Sequence, residues 1–172
     1  MPDLKSIPDD VKWRLAAACA ATLPAMYDST FRRTVGKRYD KIEQDIWMEL
    51  SRSVARIAQD LLLPVDTAHD LAETMRTVQT ILFGPDFRSE TLDVSADSTV
   101  ILIKRCPFLE HGYTTGSKGP CIFHKCLALI LTAIPLMNKQ YTARFVRTMC
   151  TGDRQCEIKV EIEKQLKKTV KN

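Results

Sequence analysis

At Gly84-Pro85 the hydrophobic period of this chain changes, and that change limits what the chain can fold into. Before it, apolar residues recur at helical spacing; after it, they alternate. Ile42, Ile46, Trp47, Leu50, Val54, Ile57, Ala58 and Leu61 predict a long amphipathic helix ended by Pro64. Ala68, Leu71, Ala72, Met75, Val78, Ile81 and Leu82 predict a second helix, capped by Asp66 and stopped at Gly84. Upstream, Ser6-Ile7-Pro8-Asp9-Asp10 reads as a helix start, with acidic groups near the positive end of the dipole. Val11, Leu15, Ala18, Cys19 and Leu23 mark its apolar face, and Pro24 breaks it. Met26 to Arg38 then reads as a connection, with Arg32, Arg33, Lys37 and Arg38 on a solvated basic face.

Beyond Gly84 the strands begin. Glu90, Leu92 and Val94 fit a half-buried strand, Ser95 to Ser98 a turn, and Thr99 to Lys104 a central strand. Glu110 to Gly119 reads as a loop, and Pro120 suits the first turn of a helix. Ile122 to Ile134 is apolar nearly all round, which predicts a buried helix. Tyr141, Ala143 and Phe145 alternate with polar neighbours, Gly152-Asp153 makes a turn, and Cys156, Ile158, Val160 and Ile162 alternate with Glu157, Lys159, Glu161 and Glu163. This order predicts an α+β fold: N-terminal helices packed on a small antiparallel sheet of two hairpins, with one buried helix between the hairpins. Residues 1–38 are expected to form a helical extension, 39–164 the α+β domain, and 165–172 a basic tail.

With 172 residues, 45% of them hydrophobic, the chain can bury a core without staples. A formal net charge of +4 is too mild to point to nucleic acid. The first ten residues hold three aspartates and no apolar leader, and the longest apolar run, Cys126 to Leu131, is far short of a membrane span. These features predict a cytoplasmic protein with no membrane partner. Thiols stay reduced there, so metal binding or redox chemistry is expected in place of a disulfide framework.

Five of the six cysteines lie between Cys106 and Cys156, with spacing C-x14-C-x4-C-x23-C-x5-C. Cys106 ends a strand, Cys121 starts a helix, and Cys150 and Cys156 flank a turn. Elements that begin or end there can meet on one edge of a sheet. Cys106, Cys121, Cys150 and Cys156 are therefore expected to form the first shell of one metal centre, either zinc or an iron–sulfur cluster, with Cys126 as a fifth candidate. The rival reading is a disulfide joining Cys150 to Cys156 across the turn. Cys121 at a helix N-terminus is also the candidate nucleophile, with His124 or His111 as acid–base partner. Cys19, on a helix face, reads as a small buried hydrophobe.

The run Cys150-Thr151-Gly152-Asp153-Arg154-Gln155-Cys156-Glu157-Ile158, and Cys121 ahead of the apolar helix, resemble the vinyl-4-reductase domain family and its relative, the aminothiazoline-carboxylate hydrolase-like family. Both are similar in fold to small subunits of the TRAPP vesicle-tethering complex. The resemblance spans about Tyr39 to Glu163. It implies zinc on Cys121, Cys150 and Cys156. Arg147 stands where such sensors have a glutamate ligand, and Cys150 and Cys156 are five residues apart where seven is usual, so Cys106 or Cys126 would complete the set.

The function expected from these readings is a small metal- or cluster-containing domain that binds a small apolar ligand. The alternative is a cysteine- or metal-dependent hydrolase of a small carbon–nitrogen or sulfur-containing substrate. A ligand cavity is expected between the Ile122–Ile134 helix and the helical layer. The long helices are expected to pair in a homodimer, with Trp47 and Met48 adjacent on the seam.

Overall fold

The computed structural model describes residues 3–163, so the predicted basic tail lies outside them. Helices α1 (Asp9–Val35), α2 (Arg38–Asp60) and α3 (Ala68–Phe83) precede a hairpin of β1 (Arg88–Ser95) and β2 (Ser98–Arg105). Helices α4 (Pro107–Thr114) and α5 (Gly119–Met137) follow, then β3 (Tyr141–Arg147) and β4 (Cys156–Ile162). The sheet is antiparallel in the order β1-β2-β4-β3, so the two hairpins meet where β2 pairs β4 and Ile103 stands opposite Cys156. This is the α+β architecture expected from the change of period at Gly84.

The alternation of β4 works as predicted. Cys156, Ile158 and Val160 are buried toward α3 and α5 with Ile101, Ile103 and Ala143. The other face carries charge, with Glu161 bonded to Arg144 at 2.9 Å and Lys159 at 2.7 Å. One apolar and one charged face make every register slip costly.

The helices depart from the simple reading in instructive ways. Helix α1 does not stop at Pro24 but runs unbroken to Val35. Its buried stripe is Ala17, Ala21, Ala25 and Asp28, while Leu15, Leu23 and Cys19 are exposed. Alanine lets backbones approach closely: a Cβ on Gly84 would lie 2.6 Å from that of Ala17. Packing along that stripe overrides the missing Pro24 amide. In α2 the buried line is Tyr39, Glu43, Trp47, Ser51, Val54 and Ala58, and Ile42 and Ile46 lie one position, about 100°, round from it. Ile46 is 56% exposed.

Thr67, not Asp66, caps α3, in a reciprocal box with Asp70. Leu92 and Val94 of edge strand β1 are exposed. The predicted loop from Glu110 contains most of α4, which starts with Pro107 in its first turn. Helix α5 continues through Pro135 to Met137, with Asn138 as its cap. By length and composition α5 could cross a membrane. Here it packs between α2 and β3, exposes Leu131 and Leu136, and buries Lys125.

Candidate functional site

Four of the cysteines converge on one enclosed cavity of about 30 Å³ beneath the sheet. Each arrives on a different element. Cys106 is the N-cap of α4, where β2 ends. Cys126 lies in the second turn of α5. Cys150 sits in a single 3-10 turn, Met149–Thr151, and Cys156 opens β4.

The turn between β3 and β4 is tightly specified. Asp153 accepts from the Thr148 amide at 2.8 Å, and Gly152 takes the left-handed conformation that ends the 3-10 turn. The Thr148 hydroxyl accepts from the Cys150 amide at 3.2 Å and faces Cys156 Sγ at 3.8 Å, and the Met149 amide faces the same sulfur at 3.4 Å. Helix α5 closes on this turn at Gly119, where a Cβ would lie 2.0 Å from the Cys150 carbonyl oxygen.

Burial pushes the Cys106 thiol up to about 12, with Cys156 and Cys150 adding to the shift and the amides of the α4 first turn opposing it. Burial likewise raises Cys126, reinforced by Cys106, Cys150 and Cys156, and raises Cys150. These three are neutral thiols at physiological pH, which removes the repulsion four clustered thiolates would suffer. Among the described residues, no three Cys, His, Asp or Glu side chains stand where they could together hold a metal ion.

Cys121 is not part of this enclosure. Both Cys121 and Cys126 lie inside regular α5, about 140° apart round the helix, so one faces the cavity and the other faces away. Cys121 lies within electrostatic range of Arg32 on α1. His124 is exposed and lines a separate groove, and His111 Nδ1 lies 3.3 Å from the Thr22 hydroxyl. Among the described residues neither histidine is hydrogen-bonded to a cysteine.

The cavity walls are apolar. Trp47 meets Phe108 edge-on at 5.1 Å, Phe83 meets Phe108 at 5.3 Å, and Phe145, Ile103 and Ile158 close the sheet side. One polar side chain on the helical side interrupts them. Gln79 of α3 is 4% exposed, and its Oε1 is buried with no hydrogen-bond partner. In the sequence, Gln79 is marked only as a polar residue on the buried line through Leu71 and Met75.

A buried ion cluster, hardly marked in the sequence, holds α1 against the rest. Lys125 Nζ lies 3.1 Å from Glu43 Oε1 and 3.5 Å from Asp28 Oδ2, with its side chain 1% exposed. Arg32 bonds Asp28 at 2.6 Å and Glu43 at 2.9 Å, and also pairs with Asp40. Ser117 donates to Asp28 at 3.0 Å. Arg32 is therefore no solvated basic residue. Burial works against its charge, but Asp40 and Asp28 outweigh burial and raise its pKa. Burial raises the Glu43 pKa, with Lys125 pulling the other way. A lysine in the apolar run from Ile122 was the available signal.

The architecture has counterparts among solved structures. A trafficking protein particle complex subunit 3 from Naegleria fowleri, covalently bound to palmitic acid, superposes with a TM-score of 0.50 at 14% identity, covering 90% of this chain and 96% of that one. The phenol-responsive sensory domain of the transcription activator PoxR, solved with phenol, gives 0.55 at 11% identity, covering 91% and 81%. The chain has the fold of the TRAPP subunit. No protein-family model matches it. No curated protein sequence matches it either.

Proposed function

We propose that this chain is a cytoplasmic small-ligand-binding domain, similar to the vinyl-4-reductase and aminothiazoline-carboxylate hydrolase-like families, acting as a sensor, carrier or accessory protein. One observation carries the reading: an aromatic-walled, thiol-lined cavity at the junction of α3, α5 and both hairpins. Two domains of similar fold were solved with phenol and with palmitic acid, which supports ligand uptake by this architecture. Some 30 Å³ holds a water or two, so a ligand enters by displacing Leu109 and Met149, the flexible, partly exposed side chains of the lining.

The second reading is the metal one, favoured by four thiols from four elements on one enclosure. Thiolate donors fit zinc or an iron–sulfur cluster in kind, and the sulfurs would have to close in to ligate. The set is then Cys106, Cys126, Cys150 and Cys156, without Cys121. The hydrolase alternative has less behind it, since among the described residues neither His111 nor His124 is hydrogen-bonded to Cys121.

One experiment separates the first two. Anaerobically purified protein is assayed for zinc and iron, and its melting temperature is followed with phenol. Ligand at a hundred times Kd is expected to stabilise the fold by about 2.7 kcal/mol. A protein unmoved by phenol, indole or palmitate sinks the ligand reading. For the metal reading, Cys126→Ser and Cys156→Ser should lose metal while Cys121→Ser and Cys19→Ser keep it; metal-free wild-type protein counts against it.

The partner proposed for the helical face is a second copy. Tyr27, Phe31, Ile42 and Ile46, each about half exposed, line an apolar groove of about 930 Å³ between α1 and α2. The seam thus involves α1, and Trp47 is buried in the core and not on the surface. Each copy offers both groove and ridge, as an isologous contact requires. An antiparallel two-fold between Ile42 and Ile46 sets Arg38, which has no ion pair among the described residues, against Glu49 of the other copy. Sedimentation should find a dimer at micromolar concentration and a monomer for Ile46→Glu. Arg38→Glu should weaken it, and Glu49→Arg added to that chain should restore it. A wild-type monomer refutes the pairing.

A further inference from the structure

We infer that the ligand of the thiol-lined cavity is a small, uncharged aromatic molecule with one hydrogen-bond donor, and that Gln79 reads that donor. The inference rests on the ligand reading above and narrows it to a chemical class.

Among the described residues no Asp, Glu, Lys or Arg side chain lines the cavity, so a charged group there would be buried without a counterion. The walls are rings, Trp47, Phe83, Phe108 and Phe145 among them, which suits a flat ring packed edge-on or offset. The polar groups nearby are mostly committed. The Thr148 hydroxyl already accepts from the Cys150 amide and faces Cys156. Ser51, below Trp47, donates to the carbonyls of Trp47 and Leu129. Thr74 on α3 donates to the Pro64 carbonyl at 2.6 Å.

Gln79 is different. Its Oε1 is buried and lacks a donor, and the residue belongs to the cavity lining. Among the described residues, the other two buried side-chain oxygens without partners, on Ser89 and Ser98, are on the β1–β2 hairpin and line no part of this cavity. A buried carbonyl oxygen without a partner is costly, and a ligand hydroxyl or amine would satisfy it. The same oxygen penalises any ligand that covers it with carbon alone. Ligand selectivity in this cavity is therefore set by one acceptor in an aromatic wall.

Calorimetric titration of the full chain with phenol, anisole and toluene tests this, because the three share a ring and differ in the donor. Phenol is expected to bind about tenfold tighter than anisole or toluene, the size of one neutral hydrogen bond. Gln79→Leu should erase the difference while keeping toluene affinity, and Gln79→Met serves as a second variant if the first folds poorly. Equal binding of phenol and toluene to the wild type would overturn the role of Gln79 and leave the ligand reading standing. Anisole matching phenol would do the same, since anisole accepts but does not donate. Binding of none of the three would overturn this inference and remove the aromatic class from the ligand reading.

Discussion

Lys125→Met should destabilise the fold by about 3–5 kcal/mol, the usual cost of breaking a buried ion pair from one side. The lysine is enclosed by Asp28 and Glu43, both nearly fully buried. Methionine fills similar volume, so the loss is electrostatic and not a cavity. Arg32 still faces both carboxylates, which places the effect toward the lower end. Even so, it is a large share of the 5–15 kcal/mol or so that holds a domain together. Urea denaturation of the variant measures it, and stability equal to wild type would refute the cluster's role. Glu43→Gln in the same chain should recover part of the loss, because the stranded charge is then gone.

The pH dependence has a defined sign. Burial already raises the Glu43 pKa, and removing Lys125 removes the main force that lowers it. In the variant the native state then binds more protons than the unfolded state. The variant's deficit should therefore shrink below the ordinary glutamate pKa and reach its full size as pH rises through the raised folded value. A deficit independent of pH would contradict this.

Gly119→Ala should be nearly as damaging, by a different route. The new Cβ would stand 2.0 Å from the Cys150 carbonyl oxygen and 3.0 Å from its carbon, both backbone atoms. No rotamer change relieves such a contact, so α5 and the Met149–Thr151 turn must part. Overpacking of this kind costs about 1–3 kcal/mol and sometimes more. It also opens the cavity wall that carries Cys150, so ligand stabilisation should fall with fold stability. Gly112→Ala is the comparison: its Cβ would meet the tip of the Ile122 side chain at 2.5 Å, which can rotate away. If Gly119→Ala melts within a degree of wild type while Gly112→Ala does not, the close approach at Cys150 is not what closes the site.

The route from sequence to fold was short where a residue's neighbours are covalent. Alternation from Cys156 to Ile162 is a local property of a strand between a core and water, and it placed β4 with its buried face correctly. Capping and turn residues at Gly84, Pro120 and Gly152 acted through their own backbone preferences. The α+β class followed from the order of those elements.

Side-chain partners in three dimensions decided the rest. Pro24 reads as a helix break, yet α1 continues because Ala17, Ala21, Ala25 and Asp28 are held by packing and by Arg32 and Lys125. Ile42 and Ile46 read as one apolar stripe with Trp47 and Val54, but Glu43, one residue away, turns inward to meet Lys125 and rolls the isoleucines outward. Cysteines at four element boundaries, with Cys126 as a fifth candidate, read as one cluster. Which four share an enclosure depends on the rotation of α5, and rotation is set by what the helix packs against. That turns Cys126 in and Cys121 out. Gln79 carries no mark in the sequence beyond a polar residue on an apolar line; its unsatisfied oxygen exists only because folding closes the cavity around it.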